Sequence, residues 1–366
     1  MTQDDRRVPG LDGIRGLAAL YVVVHHCRLL AFPGYPADTG PAALGWLIHG
    51  RLAVVVFITL SGFSLALAPA RNGWLVYARR RARRILPAYW AALALSFLIA
   101  AAPPAPQSIL IYGLLLQDFV AAPAPNGAFW SIAVEATLYV AFPLIVLARR
   151  RIGAIATLAA VTVPVVVTGL LVPGLATGAR ATGYTWELAP LFTLGVLAAG
   201  VVTARDRPWF VLSALAAAPV LTLIAVRGSV WTITHYYWLD LAIGPAIALF
   251  LAGVATRRVA LLDCRPLRAL GGFSYSLYLI HMPIVALIST VIVTPHTGSR
   301  RTAFAITVLL AVPLCLIAAR LFAAVFETPF QRRPDVTAGR AGPAATARPR
   351  SRRPARPAPG PAPRRR

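Results

Sequence analysis

The sequence predicts an all-α, polytopic integral membrane protein of about ten transmembrane helices, with both termini on the cytoplasmic side. Three observations lead to this fold class. Of the 366 residues, 58% are hydrophobic and only 13% are charged, whereas a soluble domain carries roughly 25% charged residues. The apolar residues are grouped into runs long enough to cross a bilayer. The arginines concentrate in alternate loops between those runs.

Ten apolar runs approach the roughly 20 residues that a spanning helix needs. Five of them are uncharged, at 52–70, 152–179, 208–226, 269–299 and 302–319. Five more tolerate isolated polar residues, at 11–32, 85–102, 129–148, 184–204 and 237–256. A further apolar segment at 107–120 is too short to cross and indicates a re-entrant or interfacial piece.

The arginine distribution predicts the orientation. If the N-terminus is cytoplasmic, the inside loops hold the arginine clusters at 71–84, 149–151 and 257–268. Among the loops expected outside, only one contains an arginine pair, Arg300 and Arg301. An even number of helices returns the C-terminus to the cytoplasm, so the helix count and the positive-inside rule agree.

The chain divides into a membrane domain, residues 1–330, and a tail, residues 331–366. All 36 basic residues are arginine, and eleven of them follow Gln331 in a stretch rich in Pro, Ala and Gly. Such a stretch cannot bury enough apolar surface to fold, which predicts a disordered cytoplasmic tail. We expect its positive charge to contact anionic lipid headgroups rather than nucleic acid.

Ionisable residues inside a spanning helix are costly and mark functional positions, and the first predicted helix holds several. Arg15 and His26 are eleven residues apart. At ~100° and ~1.5 Å per residue they share one face, about 16 Å apart. Asp12 lies one turn before Arg15, within side-chain reach, whereas His25 points elsewhere. Either this face belongs to an active site, or Asp12 and Arg15 flank the helix and His26 bonds to a neighbouring helix.

An arginine-rich segment, YARRRARRILPAYW at 77–90, precedes the third predicted helix. Arg81 and Arg84 are three residues apart and share a helix face, as do Arg80 and Arg83. Guanidinium groups suit bidentate recognition of phosphate. The cluster is therefore either a phosphate-binding site or a topology signal.

Two further groups of polar residues interrupt apolar helices. Glu135 is a lone carboxylate that must become neutral or find a cationic partner, either an arginine or His26. Ser274, Tyr278 and His281 follow i, i+4, i+7 spacing and form one polar stripe. That stripe either lines a cavity or binds its helix to a neighbour.

The cysteines give no sign of a metal or redox centre. Cys27, Cys264 and Cys315 are too few and too scattered for a disulfide framework, a zinc site or a redox motif. We therefore expect them to have packing roles, and we expect no metal ion and no bound cofactor.

Taken in order, these segments resemble the acyltransferase-3 family of bacterial membrane O-acyltransferases. The resemblance covers the chain from about Leu11 to Arg333. The matching segments are LDGIRGLAAL with the following HH, FITLSGF (57–63), RRARRILPAYW (80–90), FWSIAVEATLYVAFPL (129–144), FSYSLYLIHMP (273–283) and FETPFQRR (326–333). Each motif alone is weak, but six in order across the predicted helices are specific.

The resemblance implies roles for particular residues. The Arg-x10-His pair of the family falls on Arg15 and His26. The Arg-x-x-Arg motif falls on Arg81 and Arg84, and the acidic residue of the Trp-Ser-x-x-x-Glu motif falls on Glu135. Many members carry a second carboxylate at the next position, where this chain has alanine. Many also end in a fused extracytoplasmic hydrolase-like domain, and we expect this chain to belong with the stand-alone members.

The reaction implied by the resemblance moves an acyl group, commonly acetyl, from acyl-CoA to a hydroxyl of a carbohydrate, a cell-envelope glycan or a small natural product. Acyl-CoA is then a co-substrate bound from the cytoplasm. His26 would act as general base, and Glu135 would orient its imidazole. Arg15, next to Asp12, would bind the donor or stabilise negative charge on the thioester oxygen. The expected location is the bacterial inner or plasma membrane.

The rival interpretation is a proton-coupled transporter or flippase, in which the same intramembrane groups form a proton relay. That class favours Gly- or Pro-broken helices at matching positions of two halves, and no such pairing is visible in the sequence. A third interpretation, a structural scaffold, leaves the polar face of the first helix unexplained.

Overall fold

The computed structural model describes residues 8–67, 73–99, 103, 105–172, 174, 185–202 and 207–331. Every regular element in these ranges is helical, which confirms the all-α class. The helices are α1 (Leu11–Ala31), α2 (Gly50–Leu67), α3 (Trp74–Leu98), α4 (Pro106–Gly113), α5 (Trp130–Ile152), α6 (Ala154–Leu171), α7 (Leu188–Ala198), α8 (Trp209–Thr234), α9 (Tyr236–Thr256), α10 (Arg265–Gly272), α11 (Ser274–Ala286), α12 (Arg300–Phe326) and α13 (Thr328–Gln331). A 3-10 helix (Ala42–Ile48) precedes α2, and a π-helix (Leu287–Val293) continues α11.

Within the described ranges, eight helical segments are long and apolar enough to cross a membrane. The chain is therefore a polytopic membrane protein, as predicted. The two other predicted spans correspond to α3, whose first half is rich in arginine, and to the shorter apolar segment Leu188–Val201. The count of ten and the cytoplasmic placement of the termini stay predictions. Of the predicted tail, residues 331–366, all but Gln331 lie outside the described residues.

Two helical segments have bounds that differ from those predicted from the sequence. Helix α3 begins at Trp74, so the arginine cluster lies inside the helix rather than ahead of it. The short segment at 107–120 forms α4 followed by turns, and it packs on α3, where the hydroxyl of Tyr89 donates to the carbonyl of Tyr112 (2.8 Å).

Helix α1 packs against α2, α10, α11 and α12, and α2 packs in turn against α7 and α9. The α2–α7 contact depends on two glycines. A Cβ added to Gly62 would lie 2.1 Å from the carbonyl oxygen of Phe192, and one added to Gly195 would lie 2.0 Å from that of Thr59. Small residues allow such close backbone approach between membrane helices.

A buried charge cluster joins α2 to α9 and to the segment before α7. Arg51 in the first turn of α2 forms ion pairs with Glu187 (2.6 Å) and Asp240 (2.7 Å), whose side chains are fully buried. Its guanidinium also lies 5.2 Å from the ring centroid of Trp130. The sequence indicated only a loop arginine here, because both carboxylates lie more than a hundred residues away.

Candidate active site

A cavity with about 760 Å³ of empty space, part of it open to solvent, lies among α1, α2, α3, α5 and α11. Its lining includes six residues that the sequence singled out: Arg15, Arg81, Arg84, Glu135, Ser274 and Tyr278. These side chains come from four helices that are distant in sequence, so only the packing of the bundle brings them together.

Three of the lining side chains are arginines. Arg15 donates from Nη1 to Asp12 (2.8 Å). The guanidinium of Arg81 lies 5.7 Å from the ring centroid of Tyr139. Nε of Arg81 is buried and has no hydrogen-bond partner among the described residues. Together with Arg84, these groups carry more positive charge than the nearby carboxylates balance.

The helical period of α3 separates its arginines into two faces. Arg81 and Arg84 are partly buried and line the cavity, whereas Arg80 and Arg83 are exposed. All four arginines carry the same charge and lie in one segment. Only the direction of each side chain around the helix axis gives the two pairs different surroundings.

Glu135 is held on the cavity wall by two hydroxyl groups. Its Oε1 accepts hydrogen bonds from Ser61 Oγ (2.6 Å) and from the Tyr139 hydroxyl (2.5 Å). The direct pairing of Glu135 with His26 that the sequence suggested is not formed within the described structure. Helix α5 places Glu135 beside the arginines, whereas His26 lies three turns along α1 from Arg15.

Tyr278 lies between the cavity and the histidines. Its hydroxyl is 2.6 Å from Ser131 Oγ, and either hydroxyl can donate in this contact. The ring of Phe57 packs edge-on against it, with centroids 5.7 Å apart. On another side, the Tyr278 ring centroid lies 5.7 Å from that of His281.

His26 and His281 form a pair beyond Tyr278. Nδ1 of His26 lies 3.1 Å from Nε2 of His281. His281 is fully buried, and unlike Ser274 and Tyr278 it is not part of the cavity lining. The reason is its position one turn further along α11, where α1 covers it.

His25 has different partners from its neighbour. Its Nδ1 lies 2.7 Å from the carbonyl oxygen of Leu47, and its ring fills the space above Gly50. The two adjacent histidines of α1 therefore face different surroundings, as their ~100° separation on a helix requires.

Three hydroxyl residues of the site were missed in the sequence analysis. Ser131 and Tyr139 lie one turn before and one turn after Glu135, so helical spacing was the available signal. Ser61 lies in the FITLSGF segment, which had been used only as a mark of resemblance.

The acyltransferase domain profile matches residues 8–320, a range that includes every residue of the cavity and of the histidine pair. The chain belongs to the acyltransferase-3 family. It is 26% identical over 330 residues to a putative peptidoglycan O-acetyltransferase, YrhL, of Bacillus subtilis, covering 78% of this chain and 50% of the relative. It is also 34% identical over 157 residues to the acyltransferase MdmB of Streptomyces mycarofaciens, covering 38% of this chain and 39% of the relative.

The chain thus spans about half the length, or less, of the curated relatives that it matches. No solved structure shows significant similarity to the chain.

The six segments that resemble the family lie in two different parts of the structure. The first five supply the polar residues of the cavity, apart from Ser64, and those of the histidine pair. The closing segment, FETPFQRR, lies elsewhere and supplies Glu327, which accepts a hydrogen bond from Ser276 Oγ (2.6 Å). That contact anchors α11, the helix that carries Tyr278 and His281.

Proposed function

We propose that this protein is a membrane O-acyltransferase that moves an acyl group, commonly acetyl, from acyl-CoA to a hydroxyl of a carbohydrate, a cell-envelope glycan or a small natural product. One observation carries this proposal. A cavity lined by three arginines is bounded by Tyr278, whose ring contacts the His281 that bonds to His26. A candidate site for a phosphate-bearing donor therefore lies next to a candidate general base.

The arginines favour a donor with several phosphate groups, which acyl-CoA provides. Arg81 and Arg84 can bind phosphate oxygens in bidentate geometry. Because Nε of Arg81 is buried without a partner, a phosphate oxygen would satisfy it without breaking an existing bond. Arg15 is about 16 Å from His26 along α1, so we assign it to donor binding rather than to the thioester oxygen.

The proposed reaction is a direct transfer with His26 as general base. The acceptor hydroxyl oxygen attacks the thioester carbonyl carbon while His26 takes the hydroxyl proton. The carbon–sulfur bond then breaks, and His26 returns the proton to the departing thiolate. Tyr278 and Ser131 share one hydrogen bond between two hydroxyls, and Ser131 Oγ also lies 3.4 Å from the carbonyl oxygen of Ala128. When Ser131 donates in the shared bond, the O–H of Tyr278 can donate to the developing oxyanion.

Glu135 has a positioning role in this scheme. It fixes the hydroxyl of Tyr139, and the Tyr139 ring lies against the guanidinium of Arg81. The carboxylate thereby orients a donor-binding arginine and adds a counter-charge to the cavity wall. This positioning role replaces the expectation that Glu135 orients the imidazole of His26.

The acceptor is the second substrate of the proposed reaction and supplies the hydroxyl group. The match to a relative named as a putative peptidoglycan O-acetyltransferase favours a cell-envelope glycan. To test this preference, the label transferred from acetyl-labelled acetyl-CoA would be measured separately in cell-wall glycan and in small molecules after reaction.

The proposal is tested by incubating membranes that contain the protein with acetyl-labelled acetyl-CoA. We expect transfer of label, or thioester hydrolysis when no acceptor is present. His26→Ala should lower the rate about 10²–10⁴-fold per folded molecule, and His25→Ala should have a much milder effect. A transporter would show neither transfer nor hydrolysis. Full activity of the His26→Ala protein would refute the assignment of the base.

A further inference from the structure

The contact between His26 and His281 joins two helices by ring nitrogens. Nε2 of His281 lies 3.1 Å from Nδ1 of His26. In such a contact one nitrogen must donate and the other accept. The direction of this hydrogen bond decides which nitrogen of His26 is free to act as a base.

The second nitrogen of His281 fixes the position of its proton. Nδ1 of His281 lies 2.7 Å from the carbonyl oxygen of Tyr278 and 3.2 Å from that of Leu277. A carbonyl oxygen only accepts, so Nδ1 must carry the proton. In a neutral imidazole Nε2 is then the acceptor, and His281 presents a lone pair to His26.

His26 leads independently to the same direction. Its Nδ1 lies 2.9 Å from the carbonyl oxygen of Val22, which again requires a proton on Nδ1. That single N–H points to both Val22 and His281. Nε2 of His26 therefore holds the lone pair, and it forms no hydrogen bond with any described residue.

We infer that His281 is a positioning residue that, together with the Val22 carbonyl, holds His26 in the Nδ1–H tautomer, so that Nε2 is the nitrogen that takes the proton of the acceptor hydroxyl. This inference rests on the proposed function for its catalytic meaning. In acid–histidine–nucleophile triads a buried carboxylate fixes the tautomer. Here a neutral histidine, itself fixed by backbone carbonyls, takes that place.

The proton movements are consistent with this arrangement. When Nε2 of His26 takes the hydroxyl proton, the imidazolium keeps its Nδ1–H bond to the lone pair of His281. Returning the proton from Nε2 to the departing thiolate restores the starting tautomer. His281 neither gains nor loses a proton, so its part is to orient the ring and to stabilise the cation through one hydrogen bond.

The kinetic test compares His281→Phe with His281→Gln. Phenylalanine keeps a planar ring without the lone pair, whereas glutamine offers an amide oxygen that can accept from His26. We expect His281→Phe to lower kcat about 10–100-fold with little change in the donor KM, because a hydrogen bond to a charged group is lost. His281→Gln should recover much of that loss. His25→Phe is the matched control and should keep kcat close to that of the native protein.

The direct test is ¹⁵N NMR of histidine-labelled protein in bilayers, since ring nitrogens with and without a proton have well-separated shifts. The chain has six histidines, and the His26 signals are assigned by their absence in His26→Gln. We expect a protonated Nδ1 and an unprotonated Nε2 in the native protein. In His281→Phe the Val22 carbonyl remains as one acceptor for Nδ1–H, so we expect a larger fraction of the Nε2–H tautomer than in the native protein rather than a complete change.

The outcomes separate this inference from the proposed function. An Nε2–H tautomer in the native protein overturns the inference, whatever the activity. So does a His281→Phe protein with native kcat and an unchanged tautomer. If His281→Phe does not fold, the native spectrum and the His281→Gln kinetics still decide. If the native protein transfers no acyl group, the proposed function fails, and the tautomer is judged from the spectrum alone.

Discussion

Alanine at Arg81 or Arg84 removes from the cavity a guanidinium that we propose binds the donor, and it does not touch the histidine pair. Each substitution deletes charge-assisted hydrogen bonds to phosphate, and one such bond contributes about 1.5–3 kcal/mol. At about 1.4 kcal/mol per tenfold change, we expect the KM for acyl-CoA to rise about 10–100-fold. We expect kcat to change much less, because the phosphates lie far from the reacting carbon and bind equally in the ground and transition states.

The same helix offers matched controls. Arg80→Ala and Arg83→Ala remove the same charge from the exposed face of α3 and should leave the donor KM within about threefold, since surface charges are screened by salt. Lysine at Arg81 or Arg84 should restore only part of the affinity, because it keeps the charge but loses the bidentate geometry.

The assay is steady-state transfer from labelled acetyl-CoA at fixed ionic strength, with activity normalised to folded protein by fluorescence size-exclusion in detergent. Equal KM increases in all four alanine variants would show a general effect of surface charge. A native KM in both Arg81→Ala and Arg84→Ala would leave the cluster as a topology signal, and the donor site would have to be sought elsewhere.

The remaining predictions concern the cavity wall and the helix contacts. Glu135→Gln keeps the two hydrogen bonds and should retain most activity, whereas Glu135→Ala should raise the donor KM; a loss confined to kcat in steady-state assays would contradict its positioning role. Gly62→Leu should sharply lower the yield of folded protein in size-exclusion, because a Cβ at that position meets a backbone oxygen at 2.1 Å. Gly45→Leu, with open space around it, should not. Arg51→Ala should destabilise the fold by about 3–5 kcal/mol, since it removes one partner of two buried ion pairs; a native melting temperature in detergent would refute this.

Fold class and family were accessible from local properties of the sequence. The length of an apolar run and the charge of a loop are properties of a single segment, so they survive any arrangement of the helices. Helical periodicity also predicted which residues share a face of a helix. It separated Arg81 and Arg84 from Arg80 and Arg83, and His26 from His25, as the structure also does.

Other features depend on which helix faces meet. The isolation of Glu135 in an apolar helix indicated that it needs a partner, either an arginine or His26, but the structure supplies hydroxyls from Ser61 and Tyr139. The stripe on α11 allowed either a cavity wall or a contact with a neighbouring helix, and packing against α1 divides it between the cavity and the buried pair of His281 with His26.

The sequence therefore determines the helices, their polar faces and the family, because each of these is encoded within one segment or one motif. The tertiary structure decides the contacts of Glu135 with Ser61, of His281 with His26 and of Arg51 with Asp240, because each of these joins residues more than seventy positions apart. Periodicity gives the direction of a side chain around its own helix axis. The depth and rotation of one helix against another follow from packing, such as the close approach at Gly62, and these decide which polar groups come within hydrogen-bonding distance.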